Sequence, residues 1–244
     1  DILLRKCTKF NFLCVSNNQK QYLQETFQIK KCDVIYNTTY LKPANDALLQ
    51  TVDIGTLRIK SRDASKYLPY SPLKIEQEII NIIMVGTWQK RKGIELFIES
   101  ADLAKKYYPN WKFKWVGSVP EDLDKFNNIE FTGNLGAKDL IDEYNQMDLF
   151  FIPSLDDPFP LSCLEAIQRM KRVLMSSNVG ISELFPPNCH NILPKYNAEQ
   201  VIKSIRLVLE SGINTEVYDS ISYLTSVEQF VNNLNNSINN SFNR

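Results

Sequence analysis

The chain has 244 residues, and its 28 Lys and Arg balance 28 Asp and Glu to a net charge of zero. That length holds one large domain, or one domain and part of a second, with core enough to need no disulfide or metal staple. Neutrality excludes a nucleic-acid binder held by bulk electrostatics, and a single His without any Cys-x-x-Cys pair speaks against zinc.

The chain opens on Asp1 rather than Met, as a fragment or a trimmed chain does, and no charged-then-apolar signal segment follows. Cys7, Cys14, Cys32, Cys163 and Cys189 are odd in number and irregular in spacing, which suits a reducing compartment, the cytoplasm. The apolar run Phe10–Val15 predicts a strand, 17–27 a polar helix and Asp33–Tyr36 a second strand. One and a half βα units are too few for a sheet of their own. Residues 1–45 are therefore expected to pair with the main domain or with a partner chain. The stretch that follows, with Pro43, Pro69 and Pro72 and few periodic apolar residues, is taken as linker over 46–78.

From 79 onward short apolar runs alternate with amphipathic stretches. Strands are predicted at 79–85, 112–116, 129–132, 149–152, 173–176 and, briefly, 191–193; helices at 94–108, 137–147 and 198–211 carry apolar residues at three- and four-residue spacing. No run approaches the roughly 20 apolar residues of a membrane helix. The alternation predicts an α/β domain over 79–224: a doubly wound, Rossmann-like, six-stranded parallel sheet that binds ligands at the carboxyl ends of its strands. At the far end Thr225-Ser226-Val227-Glu228 reads as a capping box. It leads a helix over 225–244 with Val227, Val231, Leu234 and Ile238 on one face and Asn on the other, expected to fray before Arg244.

Three clusters fall where such a sheet places ligands. Gly86-Thr87-Trp88-Gln89-Lys90-Arg91-Lys92-Gly93 joins a strand to a helix with two glycines and three cations. It suits a phosphate or diphosphate, with a solvated basic turn as the alternative. Pro153 to Ala166 runs from a strand end into a helix starting near Pro160, with Asp157 in the loop and Glu165 one turn in. The first-turn N–H groups of Leu161 and Ser162 suit an anion, and two carboxylates suit sugar and ribose hydroxyls. Plain turn and capping roles are the alternative for both acids. Val116-Gly117-Ser118 and Phe131-Thr132-Gly133-Asn134-Leu135 are strand–Gly turns able to line a base pocket, and each alone is ordinary turn chemistry. His190 reads as a turn residue, Asp122-Leu123-Asp124 as a solvated loop, and Trp88, Trp111 and Trp115 as packing groups.

Taken in order, Gly86…Lys92-Gly93, Val116-Gly117, Phe131-Thr132-Gly133, Pro153-Ser154 and Asp157-x7-Glu165-Ala166 resemble the carboxyl-terminal domain of glycosyltransferase family 4, of GT-B fold, over residues 79–210. Phe12–Ser16 and Val34–Asn37 resemble the end of that family's amino-terminal domain, and the last helix resembles the one that crosses back to it. The resemblance implies a retaining hexosyltransferase that needs no metal or other cofactor and serves glycan or surface polysaccharide synthesis. Its partners would be a nucleoside-diphosphate sugar such as a UDP- or GDP-sugar and a glycan, lipid or protein hydroxyl acceptor. Peripheral membrane association and a partner chain supplying the missing domain stay open. Carried over residue by residue, Lys92 would hold the diphosphate, Glu165 the ribose hydroxyls and Asp157 the donor sugar. Backbone at Gly86, Gly117, Asn134, Leu135, Phe159, Pro160, Leu161 and Ser162 would line the ligand. Thr87 stands where the family has an Arg, so Arg91 or Lys90 would supply the second cation. Asp157 is one methylene shorter than the usual Glu, Pro158 and Pro160 replace two glycines, and Asn37 is followed by Thr38 instead of Gly. The chain lacks most of the amino-terminal domain and its catalytic-loop His. A donor-binding subunit or inactive nucleotide-sugar module is therefore the competing expectation, with another GT-B activity, an epimerase or phosphorylase, behind it.

Overall fold

The computed structural model describes residues 11–39 and 79–242, so the linker expected at 46–78 lies outside the described residues. The larger unit is a parallel sheet of five strands: β3 (Ile80–Val85), β4 (Trp111–Val116), β5 (Ile129–Gly133), β6 (Leu149–Ile152) and β7 (Arg172–Met175). They lie in the order β5-β4-β3-β6-β7. All four pairings are parallel. The short strand expected at 191–193 shrinks to one bridge, Ile192 to Met175, so five strands replace the six expected. Only Leu193 of that stretch is buried, which gives a further strand little apolar surface to cover.

Burial is uneven across the strands. Every residue of β6 is buried, and so is every residue of β7 at one edge, whereas β5 at the other edge buries Ile129 alone. A central strand of a parallel sheet is covered on both faces and therefore reads as a continuous apolar run, as Leu149-Phe150-Phe151-Ile152 does. Each such Phe or Ile contributes about 1.5–3 kcal/mol by leaving water.

The covering helices are α2 (Ile94–Tyr107), α3 (Ala137–Gln146), α4 (Leu161–Gln168), α5 (Ala198–Ser211) and α6 (Thr215–Leu224). α2 buries Leu96, Phe97, Ser100, Ala101 and Ala104 on one stripe and packs against α5. Asn197 caps α5, its side chain accepting from Gln200 N at 2.9 Å. α6 is an element that no expectation covered. Asn214 caps it, and only Tyr218 and Ile221 are buried, too few apolar residues to announce a helix.

α7 (Val227–Phe242) begins one residue later than a cap at Thr225 implies. Ser226 is the residue whose Oγ accepts from the helix, from Gln229 N at 3.2 Å. Thr225 is buried and donates its hydroxyl to Ile221 O at 2.7 Å, closing α6 instead. The helix is intact to Phe242 despite its asparagines.

Residues 11–39 form a small unit of their own, contrary to expectation. β1 (Phe12–Cys14) and β2 (Cys32–Val34) pair in parallel around α1 (Asn17–Phe27), over a core of Cys14, Ile29 and Cys32. The crossover helix lets two short strands satisfy each other. α7 reaches this unit through Ser237, whose Oγ donates to Asp33 Oδ2 at 2.5 Å and accepts from Asn11 Nδ2 at 3.3 Å.

Candidate functional site

The sheet is built outward from β3, first to β4 and β5 on one side, then to β6 and β7 on the other. Loops leaving β3 and β6 therefore diverge, and the crevice between them at the carboxyl ends is where a doubly wound sheet takes a ligand. Lys92 follows β3 and Asp157 follows β6. They meet: Lys92 Nζ hydrogen-bonds Asp157 Oδ2, with the two side chains 12% and 7% exposed.

Backbone contacts set this meeting. Leu155 N donates to Arg91 O at 2.8 Å. Gly93, in the left-handed region at φ 76°, brings the end of the 3₁₀ turn Lys90–Lys92 so close that a Cβ there would stand 1.9 Å from Pro153 O. Asp157 is pinned from its other side, its N donating to Asn178 O at 3.3 Å and its O accepting from Gly180 N at 2.8 Å. A Cβ at Gly180 would lie 1.7 Å from Pro158 O, so this approach too requires glycine.

Pro158 and Pro160 stiffen the loop into α4, since each fixes its own φ and keeps the preceding residue extended. Pro160 is the N-cap of α4, without a side-chain cap bond. Phe159 is buried and its ring stacks on Tyr36 of the front unit at 5.5 Å. The first-turn N–H groups of Leu161 and Ser162 precede the first intrahelical donor, Leu164 N, which donates to Pro160 O at 3.3 Å. Glu165 is one turn further on. Its Oε2 accepts from the Tyr144 hydroxyl at 2.7 Å and its Oε1 from Thr39 Oγ1 at 3.1 Å. Burial raises its carboxyl above the ordinary range; the Tyr144 and Thr39 hydrogen bonds and the Arg169 charge offset this only in part.

The remaining candidates lie at the ends of β3, β4 and β5. Gly86 N donates to Val116 O at 2.8 Å, Gly117 N to Gly133 O at 3.0 Å, and Trp88 N to Ser118 Oγ at 2.7 Å. These bonds tie the three turns into one rim. Thr87 and Asn134 are exposed on it, and Leu135 packs half-buried against the core. Trp88 packs edge-on to Trp115, Phe126 and Phe131, with centroids 4.8–5.4 Å away, as a packing group does. Arg91 is exposed and bonds Gln89 Oε1 at 3.2 Å and Asp156 O at 3.5 Å. Lys92 is thus the cation of this loop that enters the crevice, with Arg91 beside it. His190 is exposed in a turn, and Asp122 pairs with Lys125 in an exposed loop. Among the described residues no three His, Cys, Asp or Glu side chains converge on a metal position.

Sequence reasoning missed Thr39, Tyr36 and Glu183, which join the front unit to the site's edge, and missed Tyr144 beyond its place on a helix face. For Tyr144 a signal was present: a Tyr at a core position requires a partner for its hydroxyl.

The family model described as "Glycosyl transferases group 1" matches residues 71–223, which include every site candidate from Gly86 to Glu165. The chain belongs to the group 1 glycosyl transferases. Within this family it is 26% identical over 223 residues to an uncharacterized glycosyltransferase of Haemophilus influenzae, covering 87% of this chain and 60% of that one. It is 29% identical over 151 residues to N,N'-diacetylbacillosaminyl-diphospho-undecaprenol alpha-1,3-N-acetylgalactosaminyltransferase of Campylobacter jejuni, covering 59% and 39%. The chain thus spans less than two thirds of the length of both of these curated relatives. Among solved structures, HepE of Anabaena in complex with UDP and glucose superposes with a TM-score of 0.70 at 15% identity, covering 98% of this chain and 66% of that one. That likeness extends to the fold: this glycosyl transferase chain is built like the Rossmann-like carboxyl-terminal half of a GT-B enzyme.

Proposed function

We propose that the chain carries the donor half of a retaining glycosyltransferase, of family 4 type, that moves a sugar from a nucleoside diphosphate to a hydroxyl acceptor. The observation that carries this reading is the Lys92–Asp157 pair, set across the sheet's switch point beside the open first turn of α4. Lys92 and the N–H groups of Leu161 and Ser162 take the diphosphate and stabilise the charge that grows on it as the anomeric C–O bond breaks. Asp157 orients the sugar hydroxyls, Glu165 the ribose diol, and backbone at Gly86, Gly117, Asn134 and Leu135 lines the base. Leaving group and incoming hydroxyl share one face, so the anomeric configuration is kept, and the acceptor proton departs with the diphosphate. No step in this scheme calls on a metal. The reaction is placed in the cytoplasm, where nucleotide sugars are supplied.

A panel of UDP- and GDP-sugars, followed by NMR of the released or transferred sugar, tests this. Turnover of one donor with retained anomeric configuration is expected; an inverted product would overturn the assignment. In a second reading the chain acts as a donor-binding subunit. Nucleotide binding without turnover, restored to turnover by a chain bearing the acceptor domain, is the result that reading predicts.

A further inference from the structure

Glu165 is held from two directions by groups outside its own helix. The Tyr144 hydroxyl, from the end of α3, donates to Oε2 at 2.7 Å, and Thr39 Oγ1, from the front unit, donates to Oε1 at 3.1 Å. A carboxylate offers about four acceptor sites. One hydroxyl on each oxygen leaves one site on each oxygen. Two such sites on one carboxylate match in number two hydroxyls on adjacent carbons.

The two donors differ in how firmly they are fixed. Tyr144 has no exposed surface, and the Arg169 guanidinium lies 5.8 Å from its ring centroid. Its hydroxyl also stands 3.1 Å from Ser162 O, an acceptor one turn before Glu165 on the same helix. A phenol has one hydrogen. With Glu165 ionised, the hydrogen goes to the nearer and charged carboxylate. With Glu165 protonated, the phenol accepts from the carboxyl and donates to Ser162 O instead. The carboxyl plane is held in either state, and no rotation of the buried ring is required.

We propose that Tyr144 is the positioning residue of Glu165: it fixes the carboxylate plane so that the 2′- and 3′-hydroxyls of a ribose are taken together, and thereby makes the site prefer a ribonucleotide to a deoxyribonucleotide. This rests on reading Glu165 as the ribose-binding group. The groups that bear on Glu165 are Tyr144 from α3, Thr39 from the front unit and the Arg169 cation at the C-cap of α4. Tyr144 stabilises the ionised form, so its loss moves the acid limb of nucleotide binding to higher pH.

The test is calorimetry on the full chain with UDP and GDP and with their 2′-deoxy and 3′-deoxy counterparts, from acidic to neutral pH. The wild type is expected to favour the ribose form by about tenfold, the size of a hydrogen-bond loss to a charged acceptor. Tyr144→Phe is expected to shrink that preference to about twofold while leaving the deoxy affinity in place, and to raise the acid limb. Should Tyr144→Phe fail to fold, 3-fluorotyrosine at 144 carries the test with the opposite sign: a more acidic phenol is a stronger donor and lowers the limb. A Phe variant that keeps both preference and limb, or that weakens ribose and deoxyribose forms equally, overturns the proposal. A wild type without any ribose preference overturns the reading of Glu165 itself, and the proposal with it.

Discussion

Lys92 and Asp157 are the residues on which the site depends most, because neither charge is left in water when the other is removed. Breaking a buried pair from one side costs about 3–5 kcal/mol, as the remaining charge keeps its desolvation and loses its partner. Lys92→Ala is therefore expected to melt well below the wild type, and Lys92→Ala with Asp157→Asn above the single variant, because the stranded carboxylate is gone. Scanning calorimetry of the two variants checks the order. Glu165 behaves differently. Its carboxyl is raised in the folded chain, chiefly by burial, so the fold holds that proton more tightly than the unfolded chain does. Stability from this group is fully present below the unfolded value and is lost as pH rises through the folded one. Glu165→Gln is thus expected to melt at or above the wild type at neutral pH, with the gap closing on acidification; a gap that widens in acid would contradict it. Their place after a strand end singled out the loops that carry Lys92, Asp157 and Glu165, and the resemblance to a known family implied the roles of the three residues. Tyr144 and Thr39 act across the fold, 21 and 126 residues from Glu165 in sequence, and no local pattern links residues so far apart.

Elements differ in how plainly the sequence declares them for a related reason. β6 declares itself because it is apolar on both faces, and α5 because its buried stripe and Asn197 cap agree. α6 is short and buries two residues. The front strands were expected from their apolar runs, but at three residues each they carry too little pattern to show what they pair with. Their expected pairing with the main domain or a partner chain gave way to a pairing with each other, and contact with the main unit is made by side chains. Asn17 N and Nδ2 donate to Glu183 at 2.9–3.0 Å, and Asn18 N donates to it at 3.3 Å, so a carboxylate of the larger unit sits on the open N-terminus of α1. Such a contact contributes about 1 kcal/mol. Glu183→Ala is expected to speed hydrogen exchange in α1 severalfold while amides of β3 and β6 keep their protection. Equal acceleration in both would mean that the front unit and the sheet open together, against this account.

At the scale of the whole molecule, a neutral chain conceals local charge placed by topology. The sheet's order puts a basic turn and an acidic loop on either side of one crevice, and glycines at 93 and 180 let the backbones close until the charges meet. The front unit then rests on the same loop through Tyr36 on Phe159 and Thr39 on Glu165. The length that first suggested one domain and a fraction acquires a meaning from this contact: the fraction borders the site. The central claim, that the crevice between β3 and β6 takes a nucleoside diphosphate through Lys92, is tested most directly by titrating the chain with UDP and with GDP in a calorimeter. One of the two is expected to bind with a Kd below about 1 mM and to lose at least about tenfold in the Lys92→Ala variant. No binding of either nucleotide at millimolar concentration, or equal binding by the variant, would contradict it.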